Sequence, residues 1–328
     1  MLTVGVDIGG TSVRAGVVDA AGSVLDTART PTPSGVAPLE QAIAATVGQL
    51  ARRHPVSAVG LAVAGFVTSD RRSVRFAPHL AWRGTPVADR MTEVLGMPVV
   101  LEHDANAAAL AEYRFGAARG ARVAVLVALG TGIGGALLID GQVFRGAHGV
   151  APELGHLRLV PGGRPCPCGK YGCWERYCSG TALSTTAVEL LARNPGRASL
   201  LARESSRDPG WVTGQRVAGA ARDGDPIALQ AMAELARWLG EGLALVADVY
   251  DPEVVVIGGG VSESAPLFLD DAREHYASVI TGTGHRPLAR IRTAQLGDQA
   301  GIVGSAALAR DLATTLAESR TDLAPGAG

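Results

Sequence analysis

Three glycine-rich turns, one of them opening on an aspartate, hold many of the residue types able to do chemistry. Asp7-Ile8-Gly9-Gly10-Thr11 follows one apolar run, Gly130-Thr131-Gly132-Ile133-Gly134-Gly135 a second and Gly258-Gly259-Gly260-Val261 a third. Glycine permits positive φ and close approach of an anion, so successive backbone N–H groups can converge on phosphate oxygens. In such a turn Asp7 can hold Mg²⁺ directly or through water, and the Thr11 and Thr131 hydroxyls can donate to phosphate. One glycine turn is more often a plain hairpin; three together point to phosphate binding. A fourth segment, Glu102-His103-Asp104-Ala105-Asn106, joins an apolar run to an alanine-rich one. Two readings stand for Asp104: an N-cap that accepts backbone N–H bonds from the following helix, or a catalytic carboxylate that takes a proton from a hydroxyl. Glu102 and Asn106 read as structural partners of this segment.

The remaining reactive side chains cluster. Cys166, Cys168 and Cys173 fall within eight residues of one another in a glycine-rich stretch, and His156 precedes Cys166 by ten. Three thiolates and one imidazole satisfy tetrahedral Zn²⁺, and this spacing suits a structural metal better than a disulfide. Cys178 competes as a ligand, but it follows Trp174-Glu175-Arg176-Tyr177 in a helix-like run and reads as an ordinary buried cysteine. Glu153 and Glu175 bracket the cluster; they are either inert surface carboxylates or acceptors for the hydroxyls of a sugar beneath the loop. In the second case the metal shapes the site without activating a nucleophile.

These residues need a scaffold, and the apolar pattern supplies one. Strands are expected at residues 3–6, 13–18, 24–30, 59–63 and 99–101, with helices at 38–53, 87–95 and 106–115. Around residue 123 the pattern restarts: strand 123–129, glycine turn 130–135, returning strand 136–139. Its likeness to the opening hairpin suggests two similar α/β domains. Residues 140–180 read as loop-rich, 227–249 as a long amphipathic helix, 254–257 as a buried strand and 301–310 as a terminal helix, with a frayed tail beyond about residue 314.

Composition narrows the class. A formal net charge of −1 and scattered arginines, with Lys170 the single lysine, give no electrostatic case for nucleic acid or an anionic membrane. The apolar run 123–139 approaches the length of a membrane span, yet its glycine interruption fits two strands and a tight turn. The opening MLTVGVDIGG reaches Asp7 without a basic leader, so a cytoplasmic protein is expected. There is no Walker lysine motif. Gly130-x-Gly132-x-x-Gly135 matches dinucleotide-fingerprint spacing but runs into a strand rather than a helix, which argues against a dehydrogenase.

Taken together, these motifs resemble those of the ROK family (repressors, open-reading-frame proteins and kinases), most closely its actinobacterial glucokinases. The likeness runs from about Val4 to about Arg310. It is carried by Cys166-x-Cys168-Gly169-x-x-Gly172-Cys173-x-Glu175, by the preceding Glu153-Leu154-Gly155-His156, and by the Asp7 and Gly130 turns. The resemblance implies an α/β, actin-like ATPase (ribonuclease H-like) fold with two domains around a nucleotide and sugar cleft. The domains would be 1–115 joined by a C-terminal helix 299–314, and 116–298 with a zinc loop at 156–178; 315–328 would be a flexible tail. It implies ATP and Mg²⁺ on the first two glycine turns, with adenosine near Gly258–Val261. It makes Asp104 the general base for a sugar 6-hydroxyl, and His103, Glu153, His156, Glu175 and the backbone near Gly65 sugar contacts. His156 would use one ring nitrogen for Zn²⁺ and the other for the sugar. A homodimer or homotetramer is implied. The family's repressors carry a winged helix-turn-helix ahead of the kinase-like region, for which the chain leaves no space before Asp7. The family's usual Asn-Asp pair stands here as His103-Asp104. The resemblance makes glucose the leading substrate; the His103 departure keeps mannose, fructose and N-acetylmannosamine as alternatives, and a non-catalytic sugar sensor is the alternative class.

Overall fold

The structure, a computed structural model, describes residues 1–322. It divides into two compact units, one of Met1–Gly120, Gly141–Pro152 and the chain from Asp298 onward, the other of Ala121–Asp140 and Glu153–Gly297.

The first unit opens with an antiparallel meander, β1 (Leu2–Ile8), β2 (Ser12–Val18) and β3 (Val24–Pro31), followed by α1 (Val36–Ala51) and β4 (Val56–Val63). Two- and three-residue strands β5 (Phe66–Val67), β6 (Val74–Phe76) and β7 (Arg83–Thr85) form a small separate sheet. Then come α2 (Val87–Leu95), β8 (Val99–His103) and α3 (Asp104–Phe115). The main sheet has the order β3-β2-β1-β4-β8, with β4 and β8 added in parallel to β1. Alternation along β1 sorts its two faces. Val4, Val6 and Ile8 pack with Leu39, Ile43, Val47 and Leu50 of α1, which recur at helical spacing. Thr3 and Gly5 face the other way, toward α9 (Ala300–Asp322). That helix lies so close that a Cβ on Gly5 would overlap the Ile302 carbonyl, and one on Gly60 of β4 the Ser305 carbonyl. Glycine is what allows this approach.

The second unit repeats the plan. β9 (Val123–Leu129) and β10 (Ile133–Ile139) form an antiparallel hairpin, so the apolar run 123–139 is two strands. After β11 (Gln142–Phe144), which belongs to the segment grouped with the first unit, come four helices. These are α4 (Gly180–Arg193), α5 (Leu200–Arg207), α6 (Gly214–Arg222) and the long α7 (Pro226–Tyr250). β12 (Val254–Gly258), α8 (Leu269–Val279) and β13 (Arg290–Thr293) complete it. β12 joins β9 in parallel and β13 joins β12, as β4 and β8 do on β1. Asp225 caps α7 by accepting from the Ile227 and Ala228 N–H groups, and Pro226 occupies its first turn. Its buried stripe, including Leu235, Leu239, Leu243 and Val246, shares one core with β9 and β12 residues Val125, Val127, Val255 and Ile257.

Helix α3 starts at Asp104, two residues before the expected 106. α9 continues to Asp322, well past the expected 314; residues 323–328 of the expected tail lie outside the described residues. No helix among the described residues is long and apolar enough to cross a membrane.

Candidate functional site

Strand ends deliver the chemistry. β8 ends at His103 and α3 begins at Asp104, so the helix N-cap is His103, with extended backbone (ψ 140°), and Asp104 is the first helical residue. The N-cap reading of Asp104 is thereby corrected. Its Oδ1 accepts from the adjacent Ala105 N–H at 2.7 Å, and no side-chain bond caps α3. His103 Nε2 lies 3.1 Å from the same Oδ1, and the Asp104 side chain is 41 % exposed. A negative carboxylate in the first turn also suits the helix dipole. One residue earlier, Glu102 is buried and fully engaged. Arg145 Nε and Nη2 donate to its Oε2 at 2.9 and 2.5 Å, while the Asn106 amide and the His103 N–H donate to Oε1 at 2.9 and 3.0 Å. Glu102 and Asn106 are structural partners, as the sequence suggested. Arg145 was not anticipated, since nothing in sequence links positions 43 residues apart.

At the end of β1, the turn is stitched by the Gly9 N–H on the Ser12 carbonyl (3.1 Å) and by the Thr32 hydroxyl on the Gly9 carbonyl (2.7 Å). Gly10 and Thr11 are exposed, and a Cβ on Gly10 would press on His79. Burial raises the Asp7 carboxyl above its ordinary range, against the opposing pull of the Arg14 guanidinium that pairs with it. Gly65, past the end of β4, donates its N–H to the Val63 carbonyl (2.9 Å). Asp7, the Gly9–Thr11 turn, Gly65, His103 and Asp104 all belong to the first unit.

In the second unit, Gly130-Thr131-Gly132 forms the turn, closed by the Gly130 N–H on the Gly132 carbonyl at 3.0 Å. Gly134 lies beyond it, inside β10 opposite Ala128. Gly259 adopts φ 77° at the exit of β12, where a Cβ would run into the Leu129 backbone. The two turns therefore meet. Together they border a cavity of about 790 Å³ that Gly130, Thr131 and Gly260 share with Gly214, Gln215 and Met232. This size and mixed lining suit a nucleoside. Sequence reasoning missed Thr181, Gln215 and Glu263 on its wall. The available signal was Ser179-Gly180-Thr181, where Ser179 caps α4 and the Gly180 N–H donates to the Gly130 carbonyl (2.8 Å).

His156, Cys166, Cys168 and Cys173 bring four ligand atoms within 4.8 Å of one another. Cys168 and Cys173 sulfurs are 3.6 Å apart, and Cys166 Sγ is 3.7 Å from His156 Nδ1. Tetrahedral angles with Zn–S of about 2.3 Å and Zn–N of about 2.0–2.1 Å give edges of about 3.8 and 3.6 Å, so the donor set fits. His156 Nε2 points the other way, 3.9 Å from a Glu153 carboxylate oxygen, and Glu175 Oε1 is 3.7 Å from Nδ1. Gly132 leaves room for Glu175, whose carboxylate a Cβ there would overlap. Burial raises the Cys166 and Cys173 thiols. Burial would also raise Cys168, but the Lys170 N–H and the neighbouring thiols outweigh it and hold that thiol below its ordinary range. Cys178 is fully buried and stands outside the group.

Residues 3–312 match the ROK family. The glucokinase of Streptomyces coelicolor is 44 % identical over 310 residues, spanning 94 % of this chain and 98 % of that one. A ROK family glucokinase from Streptomyces griseus, solved in complex with glucose and AMPPNP, superposes with a TM-score of 0.85. It shares 44 % identity, covering 95 % of this chain and all of the other. A ROK hexokinase from Thermus thermophilus gives 0.78 at 34 % identity, over 96 % of this chain and all of that one. The architecture is the α/β, actin-like fold of sugar kinases. A match of this length, with relatives this close over almost the whole of both chains, makes the chain a member of the ROK family.

Proposed function

We propose that this protein is an ATP-dependent glucokinase that phosphorylates the 6-hydroxyl of glucose, with Asp104 as general base. The observation that carries the reading is the 44 % identity, over nearly the whole chain, to a glucokinase solved with glucose and AMPPNP. Asp104 accepts the hydroxyl proton as the O6–phosphorus bond forms and the bond to ADP breaks. The cavity of the second unit takes the adenosine beside the Gly258–Gly260 turn, with Gly130, Thr131 and Gly132 toward the phosphates. Gly9, Gly10 and Thr11 serve phosphate from the first unit, and Asp7 serves Mg²⁺. Mg²⁺ neutralises charge on the transferring group when bound. Gly65, His103, Glu153, Glu175 and His156 Nε2 are assigned to the sugar. His156 Nδ1, Cys166, Cys168 and Cys173 would hold a structural Zn²⁺, which fixes the loop that carries Glu175 and the His156 ring.

The β2-β1-β4-β8 and β10-β9-β12-β13 runs, each a hairpin extended by two parallel strands, support the ribonuclease H-like assignment and a two-domain division. A homodimer or homotetramer in the cytoplasm, with no nucleic-acid or membrane partner, completes the proposal.

A coupled ADP-release assay over glucose, mannose, fructose and N-acetylmannosamine tests it. Glucose should give the highest kcat/KM; strong preference for another sugar would keep the kinase and remove the glucokinase. That second reading is favoured by one feature, His103 in the position next to the base.

A further inference from the structure

Asp104 sits at a strand-to-helix junction that is held from a distant part of the chain. Two hydrogen bonds reach each oxygen of the buried Glu102 carboxylate. Arg145 Nε and Nη2 donate to Oε2 at 2.9 and 2.5 Å, and the His103 N–H and the Asn106 amide donate to Oε1 at 3.0 and 2.9 Å. We propose that Arg145 is a positioning residue for the base: by locking Glu102 it fixes the backbone just before Asp104 and the first turn of the helix that Asp104 opens. The proposal rests on the assignment of Asp104 as general base.

The bonds to Oε1 bracket the base. One comes from the residue before Asp104 and the other from the residue two beyond it. No side-chain bond caps α3, so this bridge from the end of β8 to the third helical residue takes the place of a cap. Asn106 Oδ1 is buried with no hydrogen-bond partner among the described residues, so what that side chain contributes is its NH₂ group on Glu102. A buried acceptor left unpaired is costly, and it is tolerated where the rest of the side chain holds something in place.

Arg145 suits this role because its guanidinium is planar and is itself anchored. Two of its N–H groups share Oε2, which leaves Oε1 to the junction and stops the carboxylate from turning. Its Nη1 donates to the Val143 carbonyl at 3.1 Å, and its own carbonyl accepts the Ala151 N–H at 3.2 Å. In the chemical step the sugar proton moves to the Asp104 carboxylate while O6 bonds phosphorus and the bond to ADP breaks; Arg145 and Glu102 exchange no proton. Their contribution is placement, and an error of about 1 Å in a reacting group can cost about 10²-fold in rate.

Two rival roles make different predictions. In one, Arg145 holds the segment that leads into Glu153 and so serves sugar binding; in the other, the ion pair serves stability alone. Saturating kinetics, direct glucose binding and thermal melts of Arg145→Met, Arg145→Lys and the double variant Arg145→Met/Glu102→Gln separate the three. Arg71 stays within electrostatic reach of Glu102 in the single variants, so Arg145→Met chiefly removes the paired donors. Positioning predicts that it lowers kcat about tenfold or more while the glucose Kd stays within about twofold. Arg145→Lys, which keeps a donor but not the planar pair, should recover part of the loss. The double variant leaves no unpaired buried charge, so it should melt closer to the wild type than Arg145→Met does, with kcat still low. Wild-type kcat in the double variant or in Arg145→Lys, or unchanged kcat with a raised glucose Kd, would overturn the proposal; neither of those two variants depends on Arg145→Met being well folded. Asp104→Asn serves as the separate control. If it stays active, the base assignment itself fails; if it is inactive while the Arg145 variants turn over normally, only the positioning role fails.

Discussion

Replacing Asp104 by asparagine preserves its size and its acceptor for the Ala105 N–H, but removes the group that takes a proton. Turnover should fall by about 10²–10⁴ with an unchanged melting temperature, as read by steady-state kinetics beside a thermal melt. The metal cluster is tested by contrast. Elemental analysis should find one zinc per chain in protein purified without chelator; Cys173→Ala should lose it and Cys178→Ala should keep it. Cys178 stands outside the group of four ligand atoms that lie within 4.8 Å of one another, so its loss leaves the donor set whole. These positions were legible because their chemistry restricts them locally: ligand spacing within a short loop, glycines where backbone must come close, and an acid at a strand-to-helix junction. Arg145 and the wall of the second unit's cavity were not legible. They reach the site through folding from distant segments, and no local pattern announces that.

Helix starts carry much of the local stability. Asp225 accepts from the Ile227, Ala228 and Leu200 N–H groups and from the Ser199 hydroxyl, tying the start of α5 to that of α7. Burial alone would raise its carboxyl, but the bonds from Ala228, Ser199, Leu201 and Leu200 outweigh it and hold it below the usual carboxylate range. A carboxyl depressed in the folded state stabilises above its unfolded value, about 3.9, and the gain is lost as pH falls through the folded value. Asp225→Asn should therefore cost about 1–2 kcal/mol at pH 7 by denaturant titration. The difference from wild type should shrink as the titration is repeated at progressively acidic pH. Long elements such as α1 and α7 were readable from apolar periodicity, whereas β5–β7, of two or three residues each, are too short to show a period. The 180–222 segment escaped for another reason. α4 opens on Gly, Thr and Ser, and α5 and α6 are only 8 and 9 residues long, too short for a period to stand out.

At the scale of the whole chain, the close approach of α9 to its sheet is a tightly constrained contact. Gly60→Ala puts a methyl group where the Ser305 carbonyl lies, and neither backbone can yield cheaply. We expect a loss of about 1–3 kcal/mol or more in a denaturant titration, and lower soluble yield. Self-association is tested by sedimentation at micromolar concentration, where a species larger than 33.5 kDa is expected. The duplication of the sheet plan was visible in sequence only as two similar glycine hairpins, because the parallel strands that complete each sheet are separated from them by long connections.

The α9 contact also sets an order of events during synthesis. The Thr3 hydroxyl bonds a carbonyl at Ala306, 303 residues downstream. The second unit closes with residues that precede Asp298, so its parts are all translated before α9 exists. Domains made first usually fold first on the ribosome. Here the first unit must wait, its α9-facing sheet surface uncovered, while the second unit can complete its own core. α9 thus acts as the timing signal for β1 and β4, whose sheet stays unfinished while everything between them and α9 is made.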